Sequence, residues 1–143
     1  MHCQKAAKDL RADRMSSYDE ESCKNMKFEF VAGAPISEEQ ALREAAELGL
    51  HAIAYDSHQT EDSEVHFHEF NLNIWLISGE AAFATPDGEI YKAKSGCRLS
   101  APAGWLHQEL VSPTHRLVLG TNIPASEWTQ PIDKTGPAVS AHN

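Results

Sequence analysis

From residue 51 to residue 121 the chain breaks into short segments rich in β-branched and aromatic residues, with turn signals about every eight to twelve residues. The spacing predicts strands near 51–56, 63–68, 73–78, 80–85, 89–93, 97–101, 105–111 and 115–121. "TPDGE" carries Pro86, Asp87 and Gly88 in the order a hairpin turn favours, and "KSG", "PAG" and "SPT" punctuate the later segments. Eight short strands of this kind argue for an antiparallel sandwich or jelly-roll barrel.

One helix precedes them. In "ISEEQALREAAELGL" Ser37 and Gln40 have the spacing of a capping box, and Glu38 and Glu39 suit the positive end of a helix dipole. A helix over 38–48 follows, with Leu42, Ala45, Ala46 and Leu48 as its apolar face and Glu39–Arg43 as an i,i+4 pair; Gly49 suits its left-handed C-terminal position. In "NIWLIS" Ile74 and Leu76 share one face while Trp75 and Ile77 share the other. Neither face suits water, so the helix or a second subunit must cover the outer one, and a homodimer is expected.

A chain of 143 residues suits one domain. Residues 1–27 read as a polar arm of no clear period, a frayed helix or a disordered segment, 28–123 as the folded unit, and 124–143 as a tail with three prolines that is expected to pack loosely or be disordered. Its formal charge of -9, from 21 acidic and 12 basic residues, repels a phosphate backbone or an anionic membrane, so neither nucleic acid nor membrane is an expected partner. Cys3, Cys23 and Cys97 lack zinc-like spacing and read as reduced thiols. With no apolar leader and no run of membrane length, the expectation is a cytoplasmic protein.

Chemistry enters at "EVHFHEF". His66 and His68 stand one residue apart in a strand, and i and i+2 side chains point the same way, so the two imidazoles lean toward one point. "GCRLSAPAGWLHQE" adds Gly96, then Pro102, Ala103 and Gly104, then His107 two residues later. Over about residues 36–121 the chain resembles small single-domain bacterial cupins of RmlC-like type, in which a short helix precedes an "HxH" strand and a late strand reads like "PAGxxHxE". The resemblance implies an all-β double-stranded β-helix, or jelly-roll barrel, with His66, His68 and His107 as ligands of a divalent metal.

One position departs from the cupin pattern. Cupins commonly place a glutamate ligand four or five residues after the second histidine, where this chain has Leu72 and Asn73. Three arrangements stay open. The site is a bare three-histidine face, as in the iron-dependent thiol-dioxygenase branch; or Glu109, two residues beyond His107, supplies the carboxylate; or Glu109 orients a histidine or takes a proton from substrate. Spacing does not separate iron, manganese, nickel and zinc.

Tyr55, Tyr91 and Trp105 are candidates for the barrel mouth or for core. His51, His58 and His115 have no partner at ligand spacing, and Gly79, Gly88, Gly96 and Gly104 read as turn residues. Two functions fit: a metal-dependent dioxygenase, isomerase or lyase acting on a small organic molecule, with Glu109 as its catalytic acid or base, or a non-catalytic module that binds a small-molecule ligand.

Overall fold

The computed structural model describes residues 27–135. Cys3 and Cys23, nearly all of the polar arm, and the end of the tail lie outside them. The elements run β1 (Glu29–Val31), α1 (Glu38–Glu47), β2 (His51–Gln59), β3 (Leu72–Ser78), β4 (Glu80–Ala84), β5 (Ile90–Lys94), β6 (Arg98–Ala101), β7 (Gln108–Leu110) and β8 (Ser112–Thr121), then a 3-10 turn at Ala125–Glu127. Among the described residues no helix is long and apolar enough to cross a membrane.

The strands form two antiparallel sheets, one in the order β1-β6-β3-β8-β2 and one in the order β5-β4-β7. A single bridge between His66 and His107 adds the segment around His66 to the open side of the smaller sheet. The chain therefore passes repeatedly from one sheet to the other between β2 and β8, and only the β4–β5 hairpin pairs sequence neighbours within a sheet. That double Greek key is the jelly roll, the all-β double-stranded β-helix that the cupin resemblance implies.

Strand alternation sets what each side of the larger sheet faces. Leu72 and Leu99 belong to an inner cluster with Phe70, Phe83 and Ala101, while Trp75 and Val118 pack outward against Ala41 and Ala45 of α1. Trp75, 1% exposed, donates its indole N–H to Glu44 Oε1 at 3.1 Å, and the Arg98 guanidinium lies 5.5 Å from its ring centroid. Arg116 on β8 ties the start of the helix down, bonding Glu38 Oε1 at 2.7 Å and Asp56 Oδ1 at 2.9 Å. The helix is thus the cover for Trp75 and Ile77, and this face makes no demand for a second subunit.

The helix forms where its caps predict, with Ser37 Oγ accepting from the Gln40 backbone N–H at 3.0 Å and Glu39 pairing with Arg43 at 3.6 Å. Its buried line is Ala41 and Ala45 with Leu42 and Leu48 beside them, and Ala46 is exposed rather than buried. The i, i+4, i+7 stripe through 41, 45 and 48 has rotated the face by one residue. The Gln40 side chain reaches Glu44 at 3.4 Å, so only one half of the capping box forms.

Two elements differ from the sequence expectation. The segment over 63–68 is bridged only at His66 and Phe67. The backbone N–H of Glu109 there meets the Ser63 hydroxyl at 2.9 Å in place of a strand carbonyl, which interrupts the ladder. β1 was not anticipated; "KFEFV" places Phe28 and Phe30 on one face by simple alternation, and both pack on aromatic rings of the smaller sheet. At the turn before β6, Gly96 has φ of 95° and a Cβ there would lie 2.3 Å from the Gly33 carbonyl oxygen, so only glycine fits.

Because Trp75 joins the helix to the sheet, Trp75→Ala should lower unfolding stability by about 3–5 kcal/mol. Urea titration followed by circular dichroism measures it, and a loss below about 1 kcal/mol would show that the helix is held by other contacts.

Candidate metal centre

His66 and His107 face each other across a reciprocal pair of backbone hydrogen bonds, His66 N–H to His107 O at 2.8 Å and His107 N–H to His66 O at 3.0 Å. This fixes their ring centroids 4.3 Å apart, and His68 completes a triangle with centroids 5.2 Å from each. One ring nitrogen from each of the three lies within 4.8 Å of the others, a group that could hold a metal ion. Donor atoms sharing one ion at about 2.1 Å in tetrahedral geometry lie about 3.4 Å apart, so binding would draw the rings inward by up to roughly 1 Å.

The carbonyls around the triangle select the tautomer. Nδ1 of His66 lies 2.8 Å from the Glu64 carbonyl oxygen, Nδ1 of His68 3.2 Å from that of Ile132, and Nδ1 of His107 3.3 Å from that of Trp105. A carbonyl only accepts, so each Nδ1 carries the proton and each neutral ring is left with its lone pair on Nε2. The Nε2 of His66 is buried without a hydrogen-bond partner. A buried acceptor left unpaired is costly unless something binds it, and a metal ion meets that need.

Aromatic rings hold the imidazoles in place. Trp105 stacks on His107 at 4.5 Å between centroids with 12° between planes, and Phe28 stacks on Trp105 at 4.7 Å. Phe70 stacks on His68 at 5.0 Å, and Trp128 stacks on Phe70 at 4.6 Å.

Two carboxylates stand beside the triangle. Oε2 of Glu109 is 3.7 Å from Nε2 of both His66 and His107. Glu109 therefore projects to the same side as His107, as its i,i+2 relation predicts, whereas Leu72 is buried in the inner cluster. Asp133 Oδ1 lies 3.6 Å from Nδ1 of His68 and 3.9 Å from Nε2 of His66. Contact with His107 and His66 holds the Glu109 carboxyl well below the usual range, against the opposing effect of burial. Burial also pulls His66 down, but the Glu109 carboxylate, the Glu64 carbonyl and the charge of Asp133 outweigh it and the net shift is upward. In His68 burial prevails, with the charges of His107 and His66 adding to it, and the net shift is downward.

Asp133 was not foreseen, because it sits in the proline-rich tail where no period or spacing marks it. That tail does not pack loosely through residue 135. Phe67 and Lys134 exchange backbone hydrogen bonds at 2.9 Å each, and Thr129 is bonded by Glu69 through both its amide and its hydroxyl. Lys134 Nζ donates to the carbonyls of Thr129 and Pro131. These bonds strap the segment across the histidines, and Ile132 supplies the carbonyl that His68 needs.

The other candidates separate clearly. Tyr55 and Trp105 line a cavity of about 410 Å³ next to the histidines, with His115 in its wall. Tyr91 stacks on Phe83 at 5.0 Å as part of the core. His51 and His58 are exposed. His115, 8% exposed, has Nδ1 2.9 Å from the Pro113 carbonyl oxygen and stands apart from the triangle.

No family profile matches the chain, and no curated protein does. Solved structures similar to it include a double-stranded beta-helix domain protein from Klebsiella pneumoniae, at 22% identity over 49% of this chain and 64% of that one with a TM-score of 0.41. The polyketide cyclase RemF from Streptomyces resistomycificus is similar at 21% identity over 62% of this chain and 61% of that one, TM-score 0.47. A cupin 2 domain-containing protein from Halorhodospira halophila is similar at 12% identity over 81% and 74%, TM-score 0.46. The chain thus spans less than two thirds of the length of the first two. The jelly-roll assignment rests on the strand order of this chain.

Since Trp128 anchors the strap through Phe70, Trp128→Ala should speed amide hydrogen exchange at Phe67 and Lys134 by tenfold or more, on the order of the loss of about 1.4 kcal/mol of local stability. Unchanged exchange at both amides would show that the strap is held without the stack.

Proposed function

We propose that the protein binds one divalent first-row metal ion through Nε2 of His66, His68 and His107, with Glu109 as a carboxylate ligand, and acts on a small organic molecule in the adjoining cavity. The observation that carries this reading is the set of three Nδ1–carbonyl contacts, which turns three lone pairs toward ligation. Three imidazoles and a carboxylate suit iron(II), manganese, nickel or zinc better than calcium or magnesium. Such an ion supplies Lewis-acid or oxygen-activating chemistry when bound.

The remaining tasks belong to this chain. Asp133 places a second carboxylate near the same rings, so the site combines neutral nitrogen donors with two negative charges. Glu109, 45% exposed at its side chain and kept ionised by its histidine neighbours, brings a carboxylate to the cavity beside the rings. Tyr55 keeps its hydroxyl proton because burial and the charges of Glu109 and Asp133 raise its pKa, so it offers a donor at the cavity wall. Trp105 and Phe28 close the side of His107 with apolar rings and exclude water there.

A chelator competition titration on protein purified without a histidine tag tests the assignment. Replacing His68 and His107 together with Ala should abolish metal retention. Glu109→Gln should keep the fold and weaken affinity more than about a hundredfold as a direct ligand, since loss of a partner that merely orients a ligand costs about 10- to 100-fold. Undiminished affinity in the double variant would refute the histidine site; equal affinity in Glu109→Gln would remove Glu109 and leave three histidines.

A further inference from the structure

The cavity beside the histidines says what kind of molecule fits. Its volume of about 410 Å³ lies in the range that encloses a small organic ligand. The wall from the larger sheet is aliphatic, built by Leu72, Ile74 and Leu76 of β3, Leu99 of β6, and Leu117 and Leu119 of β8. These are the i, i+2 residues whose neighbours Trp75 and Val118 face the helix. Aromatic rings join it: Phe83 and Trp105 from the side of the smaller sheet, Phe30 from the edge strand β1, and Phe70 from the segment before β3.

Several of the polar groups in the lining are already engaged. Ser112 already donates to the Leu110 carbonyl at 2.8 Å, and Gln59 to the Glu61 carbonyl at 3.0 Å. Among the described lining residues the one lysine or arginine is Arg98. Its guanidinium lies on the helix side, 3.8 Å from Glu44 and over the Trp75 ring. The charges that do reach the cavity are Glu109 and Asp133, both negative. Two carboxylates beside a divalent ion would offset its charge.

We propose that the cavity takes an uncharged, largely apolar ring-bearing molecule that presents one oxygen donor toward His68, His107 and Glu109, and discriminates against phosphorylated ones. An anion would lose its hydration against aliphatic walls and meet two carboxylates, while a planar ring gains area burial and aromatic contact. The oxygen end rests on the metal reading above, whereas the ring end rests on the cavity alone.

The test uses the full chain, metal-free and loaded with cobalt(II), titrated calorimetrically with 2-naphthol and with 2-naphthyl phosphate while the visible absorption of cobalt is followed. The expected result is 2-naphthol binding at least tenfold tighter than its phosphate, with a change in the cobalt absorption. Ser57→Trp, which projects an indole into the cavity from the edge strand β2, should remove naphthol binding, and a native circular dichroism melt would show that the variant is folded. Equal or tighter binding of the phosphate, naphthol binding that survives Ser57→Trp, or no naphthol binding would overturn the ligand class. Cobalt absorption that naphthol leaves unchanged would overturn the oxygen contact. Failure of cobalt to bind, with the naphthol preference intact, would overturn the metal reading and keep the ligand class.

Discussion

Two backbone hydrogen bonds between His66 and His107, at 2.8 and 3.0 Å, join the segment entering the smaller sheet to the strand that leaves toward β8. They add the fourth strand position to that sheet, and in the same step bring together two residues separated by 41 positions. The side chains then have little freedom: with the backbone paired, the two rings stand 4.3 Å apart. His68 follows from its place two residues along the same segment. Fold and site are one constraint here, since the bridge that closes the barrel also assembles the histidines.

The surroundings orient the three rings. A lone histidine can present either nitrogen, and three together would repel if protonated. Carbonyls from Glu64, Trp105 and Ile132 settle the first question by accepting from Nδ1, and aromatic stacking by Trp105 and Phe70 holds the planes. Two of the three carbonyls lie within two residues of their histidine, whereas Ile132 comes from the strap. The orphaned Nε2 of His66 supports the proposal that the arrangement takes a ligand, because such an atom would otherwise weaken the fold.

What the sequence made legible follows the range of the forces involved. The α1 boundaries, the hairpin at Pro86–Gly88 and the split of Ile74 and Leu76 from Trp75 and Ile77 depend on neighbours a few residues away, and each was readable as local pattern. His66, His68, His107 and the inward projection of Glu109 were readable because strand alternation converts spacing into direction. The rest needed long-range contact. Whether Trp75 was covered by the helix or by another subunit depended on Glu44 and Ala45 meeting it across the fold. Asp133 reaches the histidines only because Phe67 pairs with Lys134, 67 positions further on, and no local feature of "PIDK" announces that partner. β1 was a different omission, since the alternation of Phe28 and Phe30 was present in the sequence but is only three residues long.

On the proposed reading, three imidazoles turned inward by backbone carbonyls hold a metal ion. X-ray absorption spectroscopy on untagged protein, combined with elemental analysis, addresses it most directly. The expected result is one first-row divalent ion per chain, with about three imidazole nitrogens at about 2.0–2.1 Å if the metal is zinc. A chain that stays metal-free after exposure to iron(II), manganese, nickel and zinc, or an ion whose shell contains no imidazole, would contradict it.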